Sequence, residues 1–252
     1  MQIVINHLTR MQQGYICAAG FDATGRHVRP VLPNERLTAD LLMCHGGPFE
    51  MGAIIDIGSV RPAGQPPEME DHEFAPAQAR FLRFITADKF RPWLQRLARP
   101  RLRDVFGSDL VPIGDHSAGV NVGSGCASLG CFVPQNLPLL FFRHRPGKHS
   151  IIRILVKDAD FDLDLGVTDV RLYREDHVTP DPAIVQRACI EMCRQQCILG
   201  VGLTRPYQKP GDSKPMHWLQ VNNIHLLNDL LWRVGSHPAP EGVTPPPPPP
   251  QP

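Results

Sequence analysis

Two arginines are each followed by proline: Arg29-Pro30 in HVRPVL (27–32) and Arg205-Pro206 in VGLTRP (201–206). Proline confines the residue before it to extended backbone, so each guanidinium leaves the chain in a defined direction. Arginine offers a planar fork of five donors that suits a phosphate or a guanine edge. A third candidate, Arg10, ends the Leu-Thr-Arg triplet of NHLTRM (6–11), which recurs at 203–205. One copy closes the first strand of the chain and the other its penultimate strand, so the triplet is not a sequence repeat. Each copy instead sets an arginine where a strand meets a loop, a common place for binding residues. The competing reading is structural: these arginines pair with carboxylates such as Asp22 or Asp169 and lock strands together.

The loop PYQKPGDSKPMHW (206–218) interleaves rings with cations: Tyr207, Lys209, Lys214, His217 and Trp218. Bases stack on rings and ammonium groups meet phosphates, so this composition suits single-stranded nucleic acid. Trp218 taken alone reads as a core residue and Tyr207 as an exposed one. Two basic stretches add to the case. Residues 80–103 carry Arg80, Arg83, Lys89, Arg91, Arg96, Arg99, Arg101 and Arg103 against Asp88. Residues 143–157 carry Arg143, Arg145, Lys148, Arg153 and Lys157 with no acid. Acidic residues cluster at 68–73 and 158–164, a segregation that a net charge of +1 conceals. A solvated helix face is the plainer account of 91–103.

Other chemistry is thinly represented. Cys189, Cys193 and Cys197 share one helix face or its end, but a zinc site wants a fourth ligand and closer pairs. Nothing fixes Cys126 or Cys131 beside them, so core packing is the expectation. Asp158, Asp160, Asp162 and Asp164 alternate and would share one face of a strand, where magnesium is conceivable and solvent contact simpler. GSGCASLG (123–130) lacks the lysine of a phosphate loop, and no G-x-S-x-G or H-E-x-x-H motif occurs. The sequence therefore predicts no catalytic residue, no metal and no cofactor.

A chain of 252 residues with 42% hydrophobic content can hold one large or two small cores. Its 26 basic and 25 acidic residues exclude a globally basic binder. MQIVINHLTRMQQG has no basic leader or long apolar run, and no segment reaches the roughly 18 apolar residues of a membrane helix. Seven cysteines, an odd number without a disulfide pattern, fit a reducing compartment. The expectation is a cytoplasmic protein. The tail PPPPPPQP reads as extended polyproline, a spacer or a ligand for a proline-reading module.

These features must be carried by strands. Apolar runs at 2–8, 14–22 and 27–32, the last two joined by the turn ATGR, precede a short helix at 35–43 and a strand at 51–60. Residues 61–79 read as irregular, 81–85 as a strand, 86–98 as a helix beginning at Thr86 or at Pro92, and 107–137 as loop. In the second half, strands at 137–144, 149–158 and 161–173 lead to a helix over 181–196, with Asp181 and Pro182 at its start, and then to strands at 197–205 and 217–227. Three strands, a helix and two strands is the connectivity of an OB-fold, a five-stranded Greek-key barrel. The predicted class is mainly β with short helices, as two tandem OB-like barrels. The expected division is a first barrel with a helical extension over 1–106, a linker over 107–136, a second barrel over 137–234 and a disordered proline-rich tail over 235–252.

YICAAGFDATGRHVRPVLP (15–33) resembles the opening of dual OB-containing domain proteins: a strand ending in Ala-Gly-Phe-Asp, a Thr-Gly turn, then Arg-Pro-Val. FDLDLGVTDVRLY (161–173) and GVGLTRPYQKPGDSKPMHWLQVNNIHLL (200–227) are similar to the family's closing segments. The resemblance implies two OB-like barrels and binding of nucleic acid or a nucleotide. The resulting expectation is a non-enzymatic accessory or sensor protein that holds a single strand with Arg10, Arg29, Arg143, Arg145, Arg205, Tyr207, Lys209, Lys214 and His217. The alternative is an adaptor that uses the same scaffold, or the proline tail, for a protein partner.

Overall fold

The computed structural model describes residues 1–145, 147–211, 213–230 and 232. The first half forms β1 (Gln2–Arg10), β2 (Tyr15–Phe21), β3 (His27–Val31), β4 (Leu37–Thr38), β5 (Ala53–Asp56), β6 (Arg61–Pro62), β7 (Asp71–Glu73) and β8 (Arg80–Phe84). They make one curled sheet in the order β6-β7-β3-β2-β1-β5-β8, with β4 on β2. The β2–β3 turn is set by Asp22, whose carboxylate accepts from Thr24 N at 2.8 Å and Arg26 N at 3.1 Å, while Gly25 takes φ 88°. Helix α1 (Ala87–Leu97) closes this core by burying Phe90 and Leu94, and Phe21 packs on Phe90 and Trp93.

The second half contains β9 (Ala98–Arg99), α2 (Leu102–Phe106), β10 (Val111–Ile113), β11 (Ser117–Asn121), β12 (Leu129–Phe132), β13 (Leu139–Arg145), β14 (Lys148–Lys157), β15 (Asp162–Gly166), α3 (Pro182–Arg194), β16 (Cys197–Leu203) and β17 (Met216–Leu226). One sheet runs β10-β11-β17-β16-β12-β9 and another β13-β14-β15. Asp181 caps α3 by accepting from Ala183 N and Ile184 N, as Asp-Pro at a helix start dictates. The molecule is mainly β, with curled sheets consistent with two OB-like units. The two cores meet along β1 and β17, where Asn223 Oδ1 accepts from Leu8 N at 2.8 Å and Asn223 Nδ2 donates to Leu8 O at 3.0 Å.

Four local expectations give way. Residues 35–43 are not a helix: Leu37 and Thr38 pair with Ile16 and Tyr15, and 3-10 turns follow at 39–41 and 43–45. Residues 61–79 contain β6 and β7, and β7 pairs in parallel with β3. The segment 107–137, read as loop and linker, supplies β10, β11 and β12 to the second sheet. Two of its glycines mark close approach. A Cβ on Gly119 would stand 2.6 Å from His217 O, and one on Gly130 would collide with Val105. Strand 161–173 ends at Gly166, after which a 3-10 turn at 170–172 buries Arg171. Helix α1 begins at Ala87, so Pro92 lies inside it and leaves one backbone bond unmade.

Candidate nucleic-acid interface

Arg29 and Arg205 meet at one carboxylate. The parallel register sets Arg29 opposite Asp71, and the buried Arg29 Nε donates to Asp71 Oδ1. Arg205, two residues beyond β16, reaches the other oxygen, with Nη2 at 2.8 Å from Asp71 Oδ2 and Nη1 at 2.9 Å from Glu68 Oε1. Asp71 thus joins an arginine from each half. Arg29 Nη2 is buried without a hydrogen-bond partner among the described residues, and the Arg205 side chain is 45% exposed. The carboxylates are not Asp22 or Asp169: the former pairs with Arg26 and the latter with Arg171.

The loop beyond Arg205 is a tight hairpin. Thr204 N donates to Trp218 O at 2.8 Å, Trp218 N to Thr204 Oγ1 at 2.9 Å, and Tyr207 N to Met216 O at 2.9 Å. The Trp218 indole is buried and its Nε1 donates to Tyr207 O at 2.9 Å. Lys209 Nζ sits 3.0 Å from the centre of that indole, a cation–π contact. Tyr207 itself is 55% exposed, and Lys214 is exposed at the tip. His217 is buried, with Nδ1 at 2.9 Å from Thr204 O and 3.8 Å from Glu68 Oε1. It therefore faces inward, behind the rim that Arg205, Tyr207, Lys209 and Lys214 form.

The remaining candidates lie elsewhere. The Arg10 guanidinium stacks 4.7 Å over Tyr173, whose hydroxyl burial pushes up and Arg10 opposes, and Arg10 N donates to Thr168 O. Arg143, on β13, pairs with Asp164, which also accepts from Arg153. The Arg145 side chain lies outside the described residues, as does the proline tail. The basic stretch 80–103 is largely answered in space: Arg80 pairs with Asp56, Arg101 with Asp104 and Arg103 with Asp160, while Arg91 Nη2 donates to Leu227 O. The alternating aspartates are the other half of this accounting. Asp158 accepts from Leu102 N, Asp160 N and Phe161 N, and Asp162 pairs with Lys157. Among the three spaced cysteines, Cys189 Sγ donates to Leu140 O, Cys193 is exposed and Cys197 is buried in β16. They do not form one face.

Two curled β units whose seam runs along β1 and β17, with a β16–β17 loop at the rim, accord with the sequence family found. The dual OB-containing domain family matches residues 1–224. The chain belongs to this family. No curated protein and no solved structure matches it. The family accounts for the scaffold and assigns no residue a role. No helix among the described residues is long and apolar enough to cross a membrane.

Sequence reasoning missed one surface. β8 ends the first sheet, and along it Arg80, Phe81, Leu82 and Arg83 are all exposed. The signal was present in RFLRF, an apolar-basic run too short to show which edge it occupies.

Proposed function

We propose that the protein is a non-enzymatic, cytoplasmic accessory or sensor that binds single-stranded nucleic acid or a nucleotide at the rim of its second barrel. The observation that carries this reading is the exposed Tyr207 ring on a hairpin stiffened by Trp218 and Lys209, beside a partly exposed Arg205. An exposed ring on a rigid loop stacks a base without losing much of its own freedom. Arg205 is held by Asp71 and Glu68, so its remaining donor capacity faces solvent in a fixed direction, and Lys214 adds a charge at the tip. The loop between the fourth and fifth strands of an OB-fold is a usual ligand contact, and the β16–β17 loop, 204–215, corresponds to it on this reading.

The test is a fluorescence-anisotropy titration of labelled single-stranded DNA and RNA at two salt concentrations. Tyr207→Ala removes the stacking ring and should weaken binding by about 1–3 kcal/mol, roughly 5- to 150-fold. Lys214→Ala should lower the salt slope by about 1. Absence of binding at low salt by folded protein rejects the reading.

A second reading, a protein-interaction adaptor, is favoured by β8. An edge strand presents unpaired backbone groups that an extended segment can join, and Phe81 and Leu82 add apolar contact. Binding there would be insensitive to salt and to Tyr207→Ala.

A further inference from the structure

We propose that His7, His27 and Cys131 form a zinc site at the seam between the two β units. The three come from separate elements: His7 from β1, His27 from the start of β3 and Cys131 from the middle of β12. Their ligand atoms all lie within 4.8 Å of one another. The His7 and His27 rings stand 5.3 Å apart at 70°, edge to face. Donors around a tetrahedral zinc, at about 2.0–2.1 Å for nitrogen and 2.3 Å for sulfur, are separated by roughly 3.3–3.6 Å. Small side-chain rotations close the difference.

Three features of the backbone serve this convergence. The register of β1 against β2 shifts between Ile5 and His7, and the side chains of both Asn6 and His7 reach the cluster. In a regular strand the two would point to opposite faces. Gly200 pairs with Cys131, and a Cβ there would stand 3.1 Å from the Cε1 and Nδ1 of His7, so glycine leaves the imidazole its place. β12 also pairs with β9, which holds Cys131 from both sides.

The His7 nitrogens and the Asn6 amide oxygen lack partners among the described residues. His7 is buried, and neither Nδ1 nor Nε2 has a hydrogen-bond partner among the described residues. A buried imidazole with both nitrogens unpartnered forfeits its hydration without return. The Asn6 amide lies between the other two donors, with Nδ2 at 3.5 Å from Cys131 Sγ and 3.3 Å from His27 Nε2, and its buried Oδ1 is likewise without a partner. A cation gives one nitrogen of His7 the partner it lacks. It would occupy a lone pair of each imidazole, replacing the Asn6 Nδ2 contact where it binds His27 Nε2, it is bound by the thiolate, and the Asn6 N–H supports that thiolate from outside the coordination sphere. Metal binding releases the Cys131 proton to solvent. Two imidazoles and a thiolate, with no carboxylate in the set, select a borderline-soft ion such as zinc over magnesium or calcium. His27 is only partly buried and provides the way in. Three protein ligands leave one tetrahedral position to water, and the site would staple β1 and β3 of the first unit to β12 of the second, independently of the nucleic-acid reading.

The experiment uses the full chain, freed of metal by chelation and folded by circular dichroism. Zinc is titrated by calorimetry, and cobalt(II) by absorbance as a spectroscopic stand-in. One equivalent of zinc per chain, and a cobalt complex with a thiolate-to-metal charge-transfer band that zinc abolishes, are expected. Cys131→Ser should remove the band, and His27→Gln should weaken zinc more than roughly 10-fold. Cys193→Ser, at an exposed thiol on α3, should change neither. The proposal fails if folded apo-protein binds no stoichiometric zinc, if the wild-type cobalt complex lacks a thiolate band, or if Cys193→Ser and not Cys131→Ser removes it. Binding of copper(I) without zinc also overturns the assignment. Should Cys131→Ser not fold, the wild-type spectrum and His27→Gln decide.

Discussion

One isosteric change made at two buried carboxylates should have very unequal consequences. Asp169 and Arg171 are both fully buried, and every acceptor position of Asp169 is engaged. Its Oδ1 accepts from Arg171 N at 3.1 Å and Arg171 Nε at 2.9 Å, and its Oδ2 from Arg171 Nη2 at 2.7 Å and Ile224 N at 3.0 Å. Asp169→Asn replaces one oxygen with NH2. Either orientation aims that NH2 at two N–H donors that cannot reverse, and the guanidinium loses its counter-charge. Its remaining contacts, Nη1 to Trp232 O at 3.2 Å, Nη2 to Ile224 O at 2.9 Å and the Trp232 ring at 4.0 Å, are partial compensation. Breaking such a buried pair costs about 3–5 kcal/mol. Glu70 is the control. Its Oε1 accepts from Ser128 N at 2.9 Å and Leu129 N at 3.2 Å, but its Oε2 meets only the Ser128 hydroxyl, at 2.9 Å. In Glu70→Gln the amide NH2 takes the Oε2 place and the hydroxyl turns to accept, so the change should stay within about 1 kcal/mol. Urea unfolding followed by circular dichroism measures both. With m of about 2–3 kcal/mol/M, Asp169→Asn should lower the midpoint by roughly 1–2 M and Glu70→Gln by less than about 0.5 M. Equal shifts, or a shift at Asp169 below about 1 kcal/mol, would refute the argument that acceptor geometry decides.

Two further predictions concern the first unit. Burial raises the Asp22 pKa, but the hydrogen bonds of Thr24 and Arg26 outweigh it and bring Asp22 down to about 2. The folded value lies below the unfolded one near 4, so this stabilisation is complete above about pH 4 and is lost as pH falls through about 2. Asp22→Asn should flatten the stability profile over that interval, and an unchanged profile counts against the turn as its source. Gly20→Ala should lower Tm by several degrees, because the new Cβ would lie 2.8 Å from the Val4 carbonyl carbon on the paired strand β1. Overpacking of this kind costs about 1–3 kcal/mol, and a Tm equal to that of the parent would show that β1 yields freely.

What could be read in advance was local. Asp22, Thr24 and Gly25 set a turn by bonds across a few residues, and Asp181-Pro182 starts α3 by the same short-range logic. What could not be read was pairing across the chain. Asp71 sits in a stretch whose prolines and glutamates suggest irregular backbone, and only the parallel β3–β7 pairing sets it against Arg29 and within reach of Arg205. The His7 cluster was hidden for a different reason. Alternation along β1 predicts that Asn6 and His7 face opposite ways, but at a register shift, which leaves no mark on composition, both reach the cluster. Cys131 was visible as a thiol, but its companions are two imidazoles from distant strands, with no spacing that announces them.

The same long-range pairing changes what the basic stretches mean for ligand binding. Arg80, Arg101, Arg103, Arg143 and Arg205 each face a carboxylate, so a phosphate arriving at any of them must compete with a protein anion already in place. Counterion release, which gives a salt slope of about −0.7 per phosphate on single strands, is correspondingly reduced. A binder that relied on the sequence's segregated cations would show a steep slope. A binder built on this structure gains mainly from the Tyr207 face, with Lys214 and the outer donors of Arg205 adding a slope of roughly −1 to −2. Affinity that falls more with Tyr207→Ala than with a doubling of salt is therefore the signature that separates this rim from a diffuse basic surface.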